Sequence, residues 1–276
     1  MSVLFFMDSG LGGLPYLHWI QKKKPEYRLI YLADNQAFPY GIRSEEFLQE
    51  RLSLLSGTII DLYNPALMVI ACNTASVSAL HILRQRFNIP FVGVVPAVKP
   101  AAEASGEGVI GVLATQRTVQ GDYLKDLIRQ FAPDQKVETQ GAPDLVDFVE
   151  NRLFSATDEE INAILDPYIE HIARQKWNRL VLGCTHFILL RPWLEQRLPG
   201  SVGIVDSTEG VGQRILSLLE ENEKKNTRIT GNSGTPVTEK GQRGVFHITG
   251  TGYNKKAYQA AADRYDLDFR AIKEIG

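Results

Sequence analysis

Cysteine is scarce: the 276 residues contain two, Cys72 and Cys184. They stand far apart and neither belongs to a CxxC pair, so the spacing fits neither a disulfide scaffold nor a zinc or dithiol redox motif. An excess of charge of one sign is also missing. Thirty Lys plus Arg against 32 Asp plus Glu leave a formal net charge of −2, which builds no basic field for nucleic acid or anionic lipid. The apolar stretch 1–7 carries no basic flank and runs directly into Asp8, too short for a signal peptide or a membrane span. The expected partners therefore include neither nucleic acid nor membrane, and the expected location is the cytoplasm. What is present is ordinary for a globular chain. Hydrophobic residues make up 44% and charged residues 22%, enough for a sizeable core, and the length suits about two domains.

Short apolar runs alternate with amphipathic stretches, the pattern of a parallel sheet covered by helices, so the expected class is α/β. Strands are expected at 3–7, 28–33, 67–71, 91–95, 109–114, 137–140, 180–183 and 203–206. The clearest helices are 44–63, with Glu45 and Glu46 in its first turn, and a stretch opened by Thr157 with Glu160 three residues on, a capping box. Trp19, Trp177 and Trp193 read as core residues in helical patterns. Residues 221–243 contain only Ile229 and Val237 as apolar side chains and read as a long loop. The apolar pattern resumes at 245–249 and in a helix-like 255–265, so the C-terminus returns to a folded domain.

The chain also echoes itself. Val69-Ile-Ala-Cys-Asn-Thr and Val181-Leu-Gly-Cys-Thr-His both read as two apolar residues, a small residue, Cys, then polar groups. Each cysteine falls where a strand ends, and open α/β sheets bind ligands beyond the carboxyl ends of their strands. The echo predicts two similar halves facing one cleft.

Asp8-Ser-Gly-Leu-Gly-Gly also follows a strand and precedes a helix. It fails the dinucleotide pattern G-x-G-x-x-G, because Pro15 stands where the third glycine belongs. What survives is a glycine-rich turn whose N–H groups suit a carboxylate or phosphate, or simply a tight strand-to-helix connection. Either cysteine alone reads as a small buried hydrophobe. Their shared setting at a helix N-terminus argues for a lowered thiol pKa in both. His186, two residues after Cys184, can exchange a proton with that thiol or with a substrate. His18, His81, His171 and His247 lack such a setting.

Two like acid/base groups on opposite faces of one carbon suit inversion of that carbon: one thiolate removes a proton, and a neutral thiol delivers another from the far side. A single base returns its proton to the face it came from. The carbanion between these steps needs fixed N–H donors and exclusion of water. Glycine- and threonine-rich turns supply donors without metal or pyridoxal, and no lysine lies in them for a Schiff base, so no cofactor and no metal are expected.

These segments resemble the cofactor-independent glutamate racemases of the aspartate/glutamate racemase group. The resemblance rests on Asp8-Ser9-Gly10 with Gly12-Gly13, Ala33-Asp34 followed by Pro39-Tyr40-Gly41, Cys72-Asn73-Thr74, Gly111-Val112-Leu113-Ala114-Thr115 and Gly183-Cys184-Thr185-His186. It implies two pseudo-symmetric α/β domains, 96–206 as one and 1–95 plus 207–276 as the other, with the site in the cleft between them. It implies that Cys72 faces the α-proton of D-glutamate and Cys184 that of L-glutamate, with Asp8, His186 and Glu150 as auxiliary acid/base residues. By the same carry-over Ser9, Pro39, Tyr40, Gly41, Asn73, Thr74 and Thr185 bind the substrate's carboxylates and ammonium. The implied role is interconversion of L- and D-glutamate, the D-isomer serving peptidoglycan synthesis. Taken alone, Pro39-Tyr40-Gly41 also reads as an ordinary turn and Glu150 as a solvated helix face. Ala142-Pro143 stands where many members have Cys-Pro. Before Asp8 the chain lacks the extension of members activated by a cell-wall precursor, so that regulation is not implied. Other readings stay open: an aspartate or broader amino-acid racemase, a non-catalytic carboxylate-binding regulatory protein, and a redox pair of thiols. A homodimer is compatible with the sequence, which does not decide it.

Overall fold

The structure is a computed structural model that describes residues 2–230 and 244–271. In chain order it begins β1 (Val3–Asp8), α1 (Leu14–Lys23), β2 (Arg28–Ala33), α2 (Glu45–Tyr63), β3 (Leu67–Ile70), α3 (Asn73–Arg86) and β4 (Phe91–Gly93). There follow α4 (Val98–Ser105), β5 (Val109–Ala114), α5 (Gln116–Gln120), α6 (Asp122–Phe131), β6 (Val137–Gly141), α7 (Pro143–Asn151), α8 (Asp158–Arg174), β7 (Trp177–Leu182), α9 (Thr185–Ile188), α10 (Arg191–Arg197) and β8 (Gly203–Val205). The last elements are α11 (Thr208–Thr230), β9 (Gly244–Ile248), α12 (Lys255–Arg264) and β10 (Leu267–Ala271). The chain divides into two compact units: Met1–Val94 with Thr208–Tyr253 and Ala261–Gly276, and Val95–Ser207 with Asn254–Ala260.

The first unit holds a six-stranded sheet in the order β10-β9-β2-β1-β3-β4, the second a four-stranded sheet in the order β6-β5-β7-β8, and every pairing is parallel. Parallel strands need both faces covered. Accordingly all six residues of the central β1 are buried. On one face of that sheet Phe5, Met7, Ile30, Leu32, Met68 and Ile70 form a core with Leu48, Leu52, Leu55 and Ile59 of α2 and Ala75, Ala79 and Leu83 of α3. In the second unit Ile110, Val112 and Ala114 of β5 pack with Val98, Ala101 and Ala102 of α4 and Leu124 of α6.

Helix boundaries follow local chemistry. The Ser44 side chain accepts from the Phe47 N–H at the start of α2, and Asn64, at φ 41°, ends it in the left-handed conformation that asparagine tolerates. Thr157 and Glu160 form the expected capping box. The expected strands are all present within a few residues, and so are the resumed strand and helix near the C-terminus.

Three expectations need correction. Residues 221–230, expected in a loop, continue α11; the rest of that loop, 231–243, lies outside the described residues. Glu and Lys are strong helix formers, so a helix anchored by buried Ile215 and Leu219 extends through a polar tail with no apolar stripe of its own. Trp177 is buried, but in β7 and not in a helix, while Trp19 and Trp193, expected in the core, are only partly buried, their indole N–H groups donating to Glu209 and Asp158 at 2.9 Å each. The short strand β10 was not foreseen at all.

The internal echo has a topological counterpart. Within the larger sheet the run β2-β1-β3-β4 has the same chain logic as β6-β5-β7-β8: a first strand, a second on one side of it, a third on the other, a fourth outside the third. Cys72 follows the third strand of one set and Cys184 the third strand of the other.

Candidate active site

In such a strand order the chain reverses direction across the sheet between the first and third strands, and the crevice at their carboxyl ends is where open α/β sheets bind ligands. In the first unit β1 ends in Asp8 and β3 leads into Cys72. The two strands are neighbours, the Ala71 N–H donating to the Met7 carbonyl at 2.7 Å. Cys72 is the N-cap residue of α3 (φ −133°, ψ 127°), so Asn73 and Thr74 form the helix's first turn, and all three are buried. Asp8 is fully buried and accepts from the N–H and hydroxyl of Ser9, at 2.5 and 3.2 Å.

The glycine-rich turn after Asp8 is clamped by a residue the sequence did not single out. The Tyr31 hydroxyl, at the centre of β2, donates to the Gly10 carbonyl at 2.7 Å and accepts from the Gly13 N–H at 3.0 Å. The only advance signal was a tyrosine in an otherwise aliphatic strand interior, where its hydroxyl requires a partner.

The Pro39-Tyr40-Gly41 segment closes the same unit. Tyr40 is buried and donates to Asp34 Oδ2 at 2.8 Å, while Pro39 and Gly41 are partly exposed. Asp34, itself fully buried, also receives Arg51 Nε at 3.0 Å, Arg51 Nη2 at 2.6 Å and the Thr249 hydroxyl at 2.6 Å. Burial pushes the Tyr40 phenol well above its ordinary pKa; the charge and hydrogen bond of Asp34, then the charges of Cys72 and Asp8, push it further in the same direction. Tyr40 is therefore a neutral donor set among Asp8, Asp34 and Cys72.

In the second unit Cys184 follows β7 as the N-cap of α9, with φ −131° and ψ 138°, close to the angles at Cys72. The dipole expected there is weak, since α9 has only four residues. An imidazole takes its place: His186 Nδ1 lies 3.9 Å from Cys184 Sγ, and His186 Nε2 lies 3.0 Å from Glu150 Oε2. Glu150, on α7, is 1% exposed and so is not on a solvated helix face. Thr185 is buried between the thiol and the imidazole in sequence. Burial alone lowers the His186 pKa, but its hydrogen bonds to Cys184 and Glu150 and the charges of both outweigh that and hold it well above the ordinary histidine value. The geometry thus suits an imidazolium stabilising a thiolate and passing protons to it.

The structure brings Asp8, Ser9, Tyr40, Cys72, Asn73 and Thr74 together in the first unit and Glu150, Cys184, Thr185 and His186 in the second. Neither cysteine is in a disulfide. Among the described residues no three His, Cys, Asp or Glu side chains are grouped as metal ligands, and no helix is long and apolar enough to cross a membrane.

Two parallel α/β units, each with a thiol at the carboxyl end of its sheet, define the class: an open-sheet α/β protein with its candidate site at the strand ends. Comparison with known proteins narrows the class. The sequence profile of the Asp/Glu/Hydantoin racemases matches residues 17–211, and the chain belongs to that family. A glutamate racemase of Photorhabdus laumondii is 42% identical over 79% of this chain and 76% of its own length. The crystal structure of Escherichia coli glutamate racemase in complex with L-glutamate and the activator UDP-MurNAc-ala superposes with a TM-score of 0.83 at 34% identity, covering 98% of this chain and 97% of that one. A Bacillus anthracis glutamate racemase gives a TM-score of 0.77 at 25% identity over 99% and 97%.

Proposed function

We propose that this chain interconverts L- and D-glutamate by proton transfer through Cys72 and Cys184, without a cofactor, and supplies the D-isomer for peptidoglycan synthesis. The observation that carries the reading is the repeated placement of one thiol after the third strand of each equivalent sheet, each beside its own buried acid–base group. Relatives named glutamate racemase, and one crystallised with L-glutamate, support the choice of substrate. A cytoplasmic location goes with that role.

In the proposed reaction each unit contributes one face of the site. From L-glutamate, the Cys184 thiolate takes the α-proton: a new S–H bond forms, the C–H bond breaks, and its electron pair moves into the α-carboxylate. Cys72 then gives its thiol proton to the opposite face, its S–H bond breaking as the new C–H bond forms. The D-isomer reacts in reverse. His186, held by Glu150, exchanges protons with Cys184, and Asp8 serves Cys72. The Ser9, Asn73, Thr74 and Thr185 side chains and the Pro39–Gly41 turn hold the carboxylates and ammonium, with Tyr40, its one hydroxyl proton given to Asp34, adding no negative charge.

The experiment is incubation with L-glutamate, and separately L-aspartate, in deuterated water without added cofactor, following optical rotation and α-deuterium together. We expect loss of rotation with deuterium entering at the α-carbon of glutamate. Loss of rotation without isotope entry excludes proton exchange, and faster turnover of aspartate reassigns the substrate.

A further inference from the structure

Tyr258 belongs to α12, far in sequence from every residue discussed as acid or base, and it is fully buried. Its hydroxyl donates to Glu150 Oε1, while the other oxygen of that carboxylate meets His186. The start of α12 is fixed to the same turn of α7 by a second contact. Asn254 accepts from the Ala257 N–H at 3.3 Å, capping the helix, and donates from Nδ2 to the carbonyl of Asn151, the residue after Glu150, at 2.7 Å. Hydroxyl, carboxylate, imidazole and thiol therefore form one chain within the second unit: Tyr258, Glu150, His186, Cys184.

A buried tyrosine hydroxyl needs a partner, and a backbone carbonyl satisfies it without consequence. Here the partner is the carboxylate that holds the imidazole beside the thiol. We infer that Tyr258 is a positioning residue for proton transfer, fixing Glu150 so that it keeps His186 oriented and charged against Cys184. The inference rests on the reading of Cys184 as a proton-transferring group. The charges of Cys184 and Glu150 both act on His186. Removing a donor from a buried carboxylate destabilises its anion relative to its acid. Without the Tyr258 hydroxyl the Glu150 carboxylate holds His186 less firmly, and the Cys184 thiolate then loses part of its counter-charge.

The test is alkylation by iodoacetamide across a pH series without substrate, with peptide mass spectrometry reading Cys184 and Cys72 separately. In Tyr258→Phe the pH of half-maximal alkylation at Cys184 should rise by about half a unit or more, while that of Cys72 stays in place. A Cys184 profile that is unmoved or moves to lower pH overturns the inference, and so does an equal shift at both cysteines, which marks a general loosening of the fold. Tyr258→Met fills much of the same space without a donor and gives the same reading should the Phe variant lose its native circular dichroism. Because alkylation needs no glutamate, failure here is distinct from failure of the racemase reading, which isotope entry in the unsubstituted protein decides.

Discussion

At the scale of single residues, what the sequence disclosed and what it hid divide along chain distance. Asp8, Cys72, Cys184 and His186 were legible because each sits in a strand-to-helix turn with a recognisable local pattern. Glu150 was ambiguous, since one acidic residue on an amphipathic helix gives no sign that it is buried. Tyr258 was silent: 108 positions separate it from Glu150, and no local rule connects them. The proton-transfer assignment has a direct consequence here. Cys72→Ser and Cys184→Ser should each lower kcat for glutamate racemisation about a hundredfold or more, since an alcohol is a far poorer base than a thiolate. Circular dichroism should stay native. Nearly full turnover in either variant removes that thiol from the mechanism.

Among the elements, the turn between β1 and α1 shows how packing fixes a site. Gly13 has no room for a side chain: an added Cβ lies 2.7 Å from the Ala71 Cβ and 2.8 Å from the Tyr31 hydroxyl. Ala71 immediately precedes Cys72, so the turn, the clamping tyrosine and the thiol strand meet at one point. Gly13→Ala should cost about 2 kcal/mol in urea unfolding and raise KM for glutamate by displacing the turn. Native KM and stability together remove this contact from the account. The inner strands β1, β2, β3 and β5 were readable because both their faces are apolar. The polar end of α11 and the edge strand β10 were not, because helix propensity and pairing to β9 sustain them where hydrophobic pattern is weak.

Across the whole molecule, ties between remote segments matter most. Asp34 gathers Tyr40, Arg51 and, from 215 positions away, Thr249, all inside the first unit. Arg51→Met leaves that buried carboxylate without its cation and should destabilise the protein by about 3 kcal/mol, read from urea unfolding. A loss well under 1 kcal/mol, the scale of an exposed pair, means that Asp34 is satisfied without Arg51. The second unit has a pH signature. His186 keeps its proton to higher pH when folded than when unfolded, where imidazole titrates near about 6.5. Its contribution to stability is thus complete below that value and is lost as pH rises through the raised folded pKa. The stability margin of the unsubstituted protein over His186→Gln should shrink as pH rises above about 6.5. A margin that widens with alkali reverses the assignment.

The two thiols have unlike company, a carboxylate and a phenol for Cys72, an imidazole backed by a carboxylate for Cys184. Enantiomers have equal free energies, so for a catalyst that interconverts them the ratio of kcat to KM must be identical in both directions, however lopsided the catalyst. The chemical inequality of the two sulfurs is therefore invisible in that quotient. It can surface only when the enzyme is saturated, as turnover numbers and half-saturation concentrations that differ between the left- and right-handed amino acid by one common factor.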